Sequence, residues 1–301
     1  MLVFLGTGGD SYVVGKQLRA SGGFVLQVDE NQFHIDPGPN ALQRAKECGV
    51  NLRATTAIFV SSNSIFHAND VNAVIDAMTY SGFDKNGVLV ASKSVFQGNE
   101  SQSPYLQNFY RGCLERTISM EAGKRIGIND VEVQAMPARN ADASAIGFKF
   151  FTPYFTLAYS SDTKYSIDVA EAYKGSHILI LNVPTNNKKH TGFNLSTEDA
   201  VKFIQKVQPR LAIIQHFGID MVKSDPIYEA REIQRQTNVQ TIAAKDGMTL
   251  NPLSYAVDQG QRTLHAFPKK ELEKSEAPKP ADVEEIISDT SAEAPDSKVD
   301  L

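Results

Sequence analysis

The stretch Val60-Ser-Ser-Asn-Ser-Ile-Phe-His67 follows an apolar strand pattern, Thr56-Ala-Ile-Phe-Val60, and opens a pattern in which Val71, Val74, Ile75 and Met78 recur at helical spacing. A turn between a strand and a helix points its side chains into a cleft. Here those side chains are hydroxyls, an amide, a phenyl ring and a single imidazole. Zinc-like cations are held by imidazole nitrogen, thiolate or carboxylate, and a neutral hydroxyl or amide substitutes poorly for any of these. His67 is therefore the one residue of the turn with ligand chemistry. Taken alone, it reads more readily as a helix cap or as a cavity filler beside Phe66 than as a ligand.

Other chemistries are set aside by spacing. Gly6-Thr-Gly-Gly9 lacks both the G-x-G-x-x-G spacing and the Gly-Lys-Ser/Thr ending of a phosphate-binding loop. No G-x-S-x-G nucleophile elbow is present, nor an aromatic and basic RNA-binding motif of the RNP type. Cys48 and Cys113 have neither metal-ligand nor redox spacing, so free thiols and a cytoplasmic location are expected. Met1-Leu-Val-Phe-Leu5 runs straight into glycines without the charged start of a leader, and no apolar run approaches the ~20 residues of a membrane span. The formal net charge of −5 gives no general attraction to phosphate backbones.

The elements that would position the turn alternate along the chain. Residues 23–28 and 32–35 form a hairpin about Asp29-Glu-Asn31, and Asp36-Pro-Gly-Pro39 ends its second strand. Ala41 to Cys48 is helical and closes at Gly49. Strand patterns recur at 87–91, 131–135, 145–150, 156–159, 177–183, 209–214 and 239–243, with helices at 68–79, 167–173 and 228–235. Ser196 and Asp199 make a capping pair before the apolar face of Ala200, Phe203, Ile204 and Val207. Two β-rich halves, each followed by helices, predict an α/β (α+β) chain with two stacked sheets covered by helices on both outer faces. Segment 92–126 has no assigned pattern and is expected to form a lid or a small subdomain. Residues 1–267 read as one domain. From Pro268 the sequence is rich in Glu, Asp, Ser, Pro and Ala and predicts a disordered acidic tail over 268–301, in which Asp282 to Ile287 can form a transient helical turn.

Taken in order, FLGTGG, the hairpin ending in IDPGPNAL, the junction at 60–67, PARNADASAIGFKF, AYSSDT, LSTEDAVKF and IQHFG resemble the metallo-β-lactamase-fold hydrolases, in particular the branch similar to ribonuclease Z and related phosphodiesterases. The resemblance runs to about residue 250. It implies an αββα four-layer sandwich with a two-metal site at one edge. In that family the junction reads His-x-His-x-Asp-His. Ser62 and Ser64 stand at the paired histidines, Phe66 at the aspartate and His67 at the last histidine; Asn140 replaces a further histidine, Asp162 matches the bridging aspartate, and His216 the final histidine. Asp36 is expected to fix a turn beside the site and not to be a ligand.

The first metal would lose its private ligands, whereas His67, Asp162 and His216 still compose a His₂-carboxylate set. Phe66 replaces an anion with an apolar ring and removes the carboxylate that would orient an attacking water. The sequence therefore predicts a non-catalytic or regulatory binding homologue with no cofactor or one divalent cation, zinc or manganese. The alternative is a mononuclear metal-dependent phosphodiesterase using His67, Asp162 and His216. A nucleotide or RNA ligand and a homodimer are expected from the resemblance, and a membrane partner is not. His34 and His177 read as half-buried strand residues, and His190 lies in a rim loop whose lysines could meet phosphate.

Overall fold

The computed structural model describes residues 1–186 and 192–256. The predicted tail at 268–301 and the loop holding His190 lie outside those residues.

Strand β1 (Leu2–Phe4), helix α1 (Ser11–Gly15), strands β2 (Phe24–Val28) and β3 (Asn31–Ile35), helix α2 (Ala41–Glu47) and strand β4 (Ala57–Val60) begin the first half. Helices α3 (Ile65–Ala68) and α4 (Val71–Thr79), strand β5 (Val88–Ser92), helices α5 (Lys93–Gln97) and α6 (Asn108–Cys113) and strand β6 (Arg116–Met120) complete it. The second half continues with β7 (Arg125–Ile128), β8 (Val131–Pro137), β9 (Ile146–Phe151), β10 (Thr156–Tyr159), α7 (Ile167–Ala172) and β11 (Ile178–Asn182). It ends with α8 (Thr197–Val207), β12 (Leu211–Gln215), α9 (Ile219–Ser224), α10 (Pro226–Thr237), β13 (Gln240–Ala243) and β14 (Thr249–Leu250).

Among the described residues the strands form two seven-stranded sheets, ordered β14-β1-β2-β3-β4-β5-β6 and β13-β12-β11-β10-β9-β8-β7. Each sheet is antiparallel at one side and parallel at the other: β3 through β6 are parallel, as are β10 through β13. Parallel strands packed on both faces need apolar residues of both alternations. Ala57 and Phe59 of β4 enter the layer between the sheets, while Ile58 and Val60 face α4. Likewise Ile178 and Ile180 of β11 face inward, and Leu179 and Leu181 meet α8. Phe33, Phe59, Phe148 and Phe150 interlock at the centre with edge and stacked contacts. The result is the predicted αββα sandwich.

Several local expectations are met. Ser196 caps α8, with Asp199 reciprocating, and Gly49 follows α2 at φ 70°. Three differ. The helix expected over 68–79 is broken into α3 and α4, because Asp70 turns aside: its backbone N–H donates to Pro37 O (2.9 Å) and its carboxylate accepts from Ala41 N (2.8 Å). His34 is fully buried rather than half-buried; its cross-strand partner Val25 belongs to the cluster that packs Ala45 of α2 against the sheet. Segment 92–126 is not a separate subdomain. It contains the α5–α6 crossover that carries the chain from β5 to β6, and then the first residues of β7.

Candidate metal-binding site

The site lies where β3, β4, β10 and β12 end on one edge of the sandwich. Three residues just past strand ends are non-glycines in the left-handed region: Asp36 (φ 50°), Ser161 (φ 56°) and His216 (φ 62°). Such backbone costs of order 1–3 kcal/mol each and persists only where its surroundings enforce it. Part of the enforcement at His216 is Gly9. A Cβ there would lie 2.1 Å from His216 O and 2.6 Å from its ring, so only glycine lets the first loop close on this turn. Gly9 N donates to Phe217 O (2.9 Å) and Phe217 N to Thr7 O (2.6 Å). The Gly6–Gly9 loop is thus a clamp on His216.

His67, Asp162 and His216 converge, with one ligand atom of each within 4.8 Å of the others. His67 Nε2 is 3.5 Å from Asp162 Oδ2, and His216 Nε2 is 3.5 Å from Asp162 Oδ1. Both Nε2 atoms are buried and without a hydrogen-bond partner. Burial opposes ionisation of Asp162, but the His216 and His67 rings and the amide hydrogen bond from Asn182 outweigh it and hold the carboxyl below its usual range. Burial likewise disfavours the His216 imidazolium, and the facing Asp162 carboxylate overcomes it, raising the His216 pKa. The site is electrostatically built around negative charge between two imidazoles.

Its supports are all hydrogen-bonded. Asn182 Nδ2 donates to Asp162 Oδ1 (2.8 Å) and to Tyr159 Oη (3.1 Å), and Gln215 Nε2 holds Asn182 Oδ1 (3.1 Å). Asp36 accepts from Ser61 N, Ser61 Oγ and Tyr159 Oη, each at 2.7 Å. Burial, with the Asp36 and Asp162 charges, pushes the Tyr159 phenol well above its usual pKa, so it remains a donor. Ser161 Oγ donates to Ser61 Oγ (2.7 Å), and the Ser61 and Ser62 hydroxyls lie 3.2 and 2.9 Å from His67 Nδ1. Fixing Nδ1 leaves Nε2 as the free end of the ring, which is how ligating histidines are oriented. The sequence does not single out Tyr159, Asn182, Gln215 and Ser61, and it shows Gly9 only as part of the FLGTGG motif. Each is a common residue type at a strand end or loop, and only the fold brings them together.

Ser62, Ser64, Asn140 and Phe66 each make defined contacts around the site. Ser62 binds His67 Nδ1; Ser64 caps α3, accepting from Phe66 N (3.3 Å); Asn140 donates to Asp162 O (2.8 Å) and accepts from Asp142 N (3.0 Å). Phe66 packs edge-on against His216, ring centroids 6.2 Å apart. Asp36 Oδ2 lies 3.8 Å from His67 Nδ1, on the side of the ring opposite Nε2. The donor set suits one borderline cation: two imidazole nitrogens and a carboxylate are a zinc-type set, and the two unpartnered buried Nε2 atoms are the groups such an ion would satisfy.

The fold defines a class: a metallo-β-lactamase sandwich, here with His67, Asp162 and His216 brought together at one edge of its sheets. The family described as the β-lactamase superfamily domain matches residues 31–217, and this chain belongs to it. The chain is 29% identical over 255 residues to the uncharacterized protein MJ1374 of Methanocaldococcus jannaschii, covering 84% of this chain and 95% of that protein. Among solved structures it is similar to the metallo-β-lactamase fold protein YhfI of Bacillus subtilis, with a TM-score of 0.68 at 11% identity over 82% of this chain and 97% of that one. The short form of human tRNase Z superposes with a TM-score of 0.58 at 12% identity, over 83% and 99% of the two chains. These likenesses place the fold. Among the described residues, no helix is long and apolar enough to cross a membrane.

Proposed function

We propose that this chain is a binding protein of the metallo-β-lactamase fold, organised around a single divalent cation of the zinc or manganese type held by His67, Asp162 and His216. The observation that carries this reading is the pair of buried, unpartnered Nε2 atoms facing opposite oxygens of one carboxylate. The positions that serve a second ion in the family are Ser62, Ser64 and Asn140, and all three are engaged in hydrogen bonds that stabilise the turn, the helix start and the Asp162 loop. Neutral hydroxyl and amide groups do not supply the field that two adjacent dications require. With Phe66 where the family has aspartate, the chain has no carboxylate there to orient a water.

Elemental analysis and calorimetric titration with zinc and manganese test this on the full chain. One equivalent of metal is expected, with hydrolysis of bis(p-nitrophenyl) phosphate at the level of buffer containing the same metal. Two equivalents, or turnover abolished by combined Asp162→Ala and His216→Ala replacement, would overturn it. One observation favours a second reading, a mononuclear phosphodiesterase. The Asp162 side chain, 16% exposed, reaches the floor of an open cleft of about 430 Å³, so a nucleotide or RNA ligand has access to one face of the cation site. Turnover with one bound equivalent would select this alternative.

A further inference from the structure

The two sides of the candidate cation site are built differently. The rings of His67 and His216 line, with Phe66, Phe24 and Tyr159, a narrow cavity of about 10 Å³, room for one water at most. Asp162 lines instead the open cleft of about 430 Å³. The imidazole side is thus narrow and the carboxylate side open. Phe66 is half-buried, whereas Phe24, Tyr159 and both histidines are buried, so it stands between the narrow cavity and solvent. Its ring meets His216 edge-on at 6.2 Å, and the His216 and His67 rings are 4.9 Å apart, which makes the three rings one contiguous wall. The backbone holds Phe66 from both directions. Its N–H donates to Ser64 Oγ (3.3 Å), and a Cβ at Gly38 would lie 2.1 Å from Phe66 O, so the turn after β3 closes directly on the start of α3.

A phenyl ring offers a cation no lone pair, and an apolar group beside a metal controls which faces of the ion solvent reaches. We propose that Phe66 is a positioning residue of the cation site: it holds the His216 ring and seals the imidazole side, leaving a bound ion open to exchangeable ligands only across Asp162. This role rests on the single-cation reading above, which it deepens. Cutting the ring back would free His216 to turn and would admit water beside Nε2, whereas an aliphatic side chain of similar reach would keep the seal.

Cobalt(II) loading and chelator-driven release on the full chain test it. The visible spectrum of cobalt(II) reports coordination number, and release into excess EDTA reports access to the ion. Wild type, Phe66→Ala and Phe66→Leu are each expected to hold one equivalent at saturating metal. Phe66→Ala should lose intensity in the visible bands as water adds to the ion. It should also release metal about tenfold faster, the low end of the effect of removing a group that orients a ligand. Phe66→Leu should resemble wild type in both readouts. Should Phe66→Ala fail to fold, Phe66→Val, which keeps part of the bulk, is expected to move both readouts in the same direction by less. A merely structural role for the ring would lower the melting temperature of the metal-free protein and leave the cobalt spectrum and the release rate at wild-type values. That result overturns the proposal, as does Phe66→Leu behaving like Phe66→Ala. A wild-type protein that binds no cation sinks the single-cation reading, whereas one bound equivalent with Phe66→Ala indistinguishable from wild type sinks the role of Phe66 alone.

Discussion

His34 in the β2–β3 hairpin and the His67–His216 pair at the cleft edge are all buried, and all three have a ring nitrogen without a hydrogen-bond partner. They differ in what surrounds that nitrogen. His34 Nε2 donates to Gly22 O (2.8 Å), the residue is fully buried beside its cross-strand partner Val25, and burial lowers its pKa to about 4, so it is a neutral core residue. At the cleft edge, two free nitrogens face one carboxylate whose own pKa is depressed. An orphaned ring nitrogen is therefore not in itself a site. Convergence on a shared anion is what distinguishes ligand chemistry from tolerated burial.

The sharpest way to break this comparison is to remove the anion. Asp162→Ala should abolish cation binding in a zinc titration, as should the His67→Ala/His216→Ala double replacement, while His34→Gln should leave the stoichiometry at the wild-type value. Loss of binding in His34→Gln with preserved fold would show that the hairpin histidine takes part. Next in size is the support shared by the site and the core. Asp36→Ala strands the Ser61 N–H, the Ser61 hydroxyl and the Tyr159 hydroxyl, all buried, and should cost on the order of 4 kcal/mol in urea unfolding. Asp36→Asn, which keeps one acceptor, should cost less; equal losses would mean that the carboxylate is not the hub.

The two regions were also unequally legible in the sequence. Strands with apolar residues in both alternations, the Ser196–Asp199 capping pair and the hairpin about Asp29 are local patterns, and the structure reproduces them. His67, Asp162 and His216 were read from the order of motifs along the chain, and the fold brings them within reach of one another. The network behind them was not legible. Tyr159, Asn182 and Gln215 end three different strands, β10, β11 and β12, and their hydrogen bonds exist only because parallel pairing aligns those ends. The break between α3 and α4 was hidden for the same reason: Asp70 looks like a helical residue until Pro37 and Ala41 reach it. The complete burial of His34 likewise depends on what packs over its face of the hairpin, which the strand pattern alone does not show.

Acid titration of stability sharpens the contrast in histidine environments. With a folded pKa of about 4 against about 6.5 unfolded, His34 binds a proton more readily in the unfolded chain. Its contribution is complete above about pH 6.5, is lost as the pH falls towards 4, and amounts to about 3 kcal/mol at the extreme. His34→Gln, which retains a donor for Gly22 O, should flatten that part of the stability–pH curve relative to wild type. An unchanged slope would mean that the loss in this window comes from other groups.

The smallest effect distinguishes the altered positions from one another. Ser62 Oγ lies 2.9 Å from His67 Nδ1 and Ser61 Oγ 3.2 Å from it, so Ser62→Ala leaves the ring with its weaker support. Removing such an orienting partner typically costs ten- to a hundredfold in metal affinity, and the remaining Ser61 contact places this variant near tenfold. Ser64→Ala removes only the cap of α3 and should lower stability by about 1 kcal/mol with zinc affinity unchanged. If Ser62→Ala also leaves affinity unchanged, its hydroxyl only fills the turn. If it weakens affinity as expected, the Ser62 hydroxyl is part of the support that orients His67.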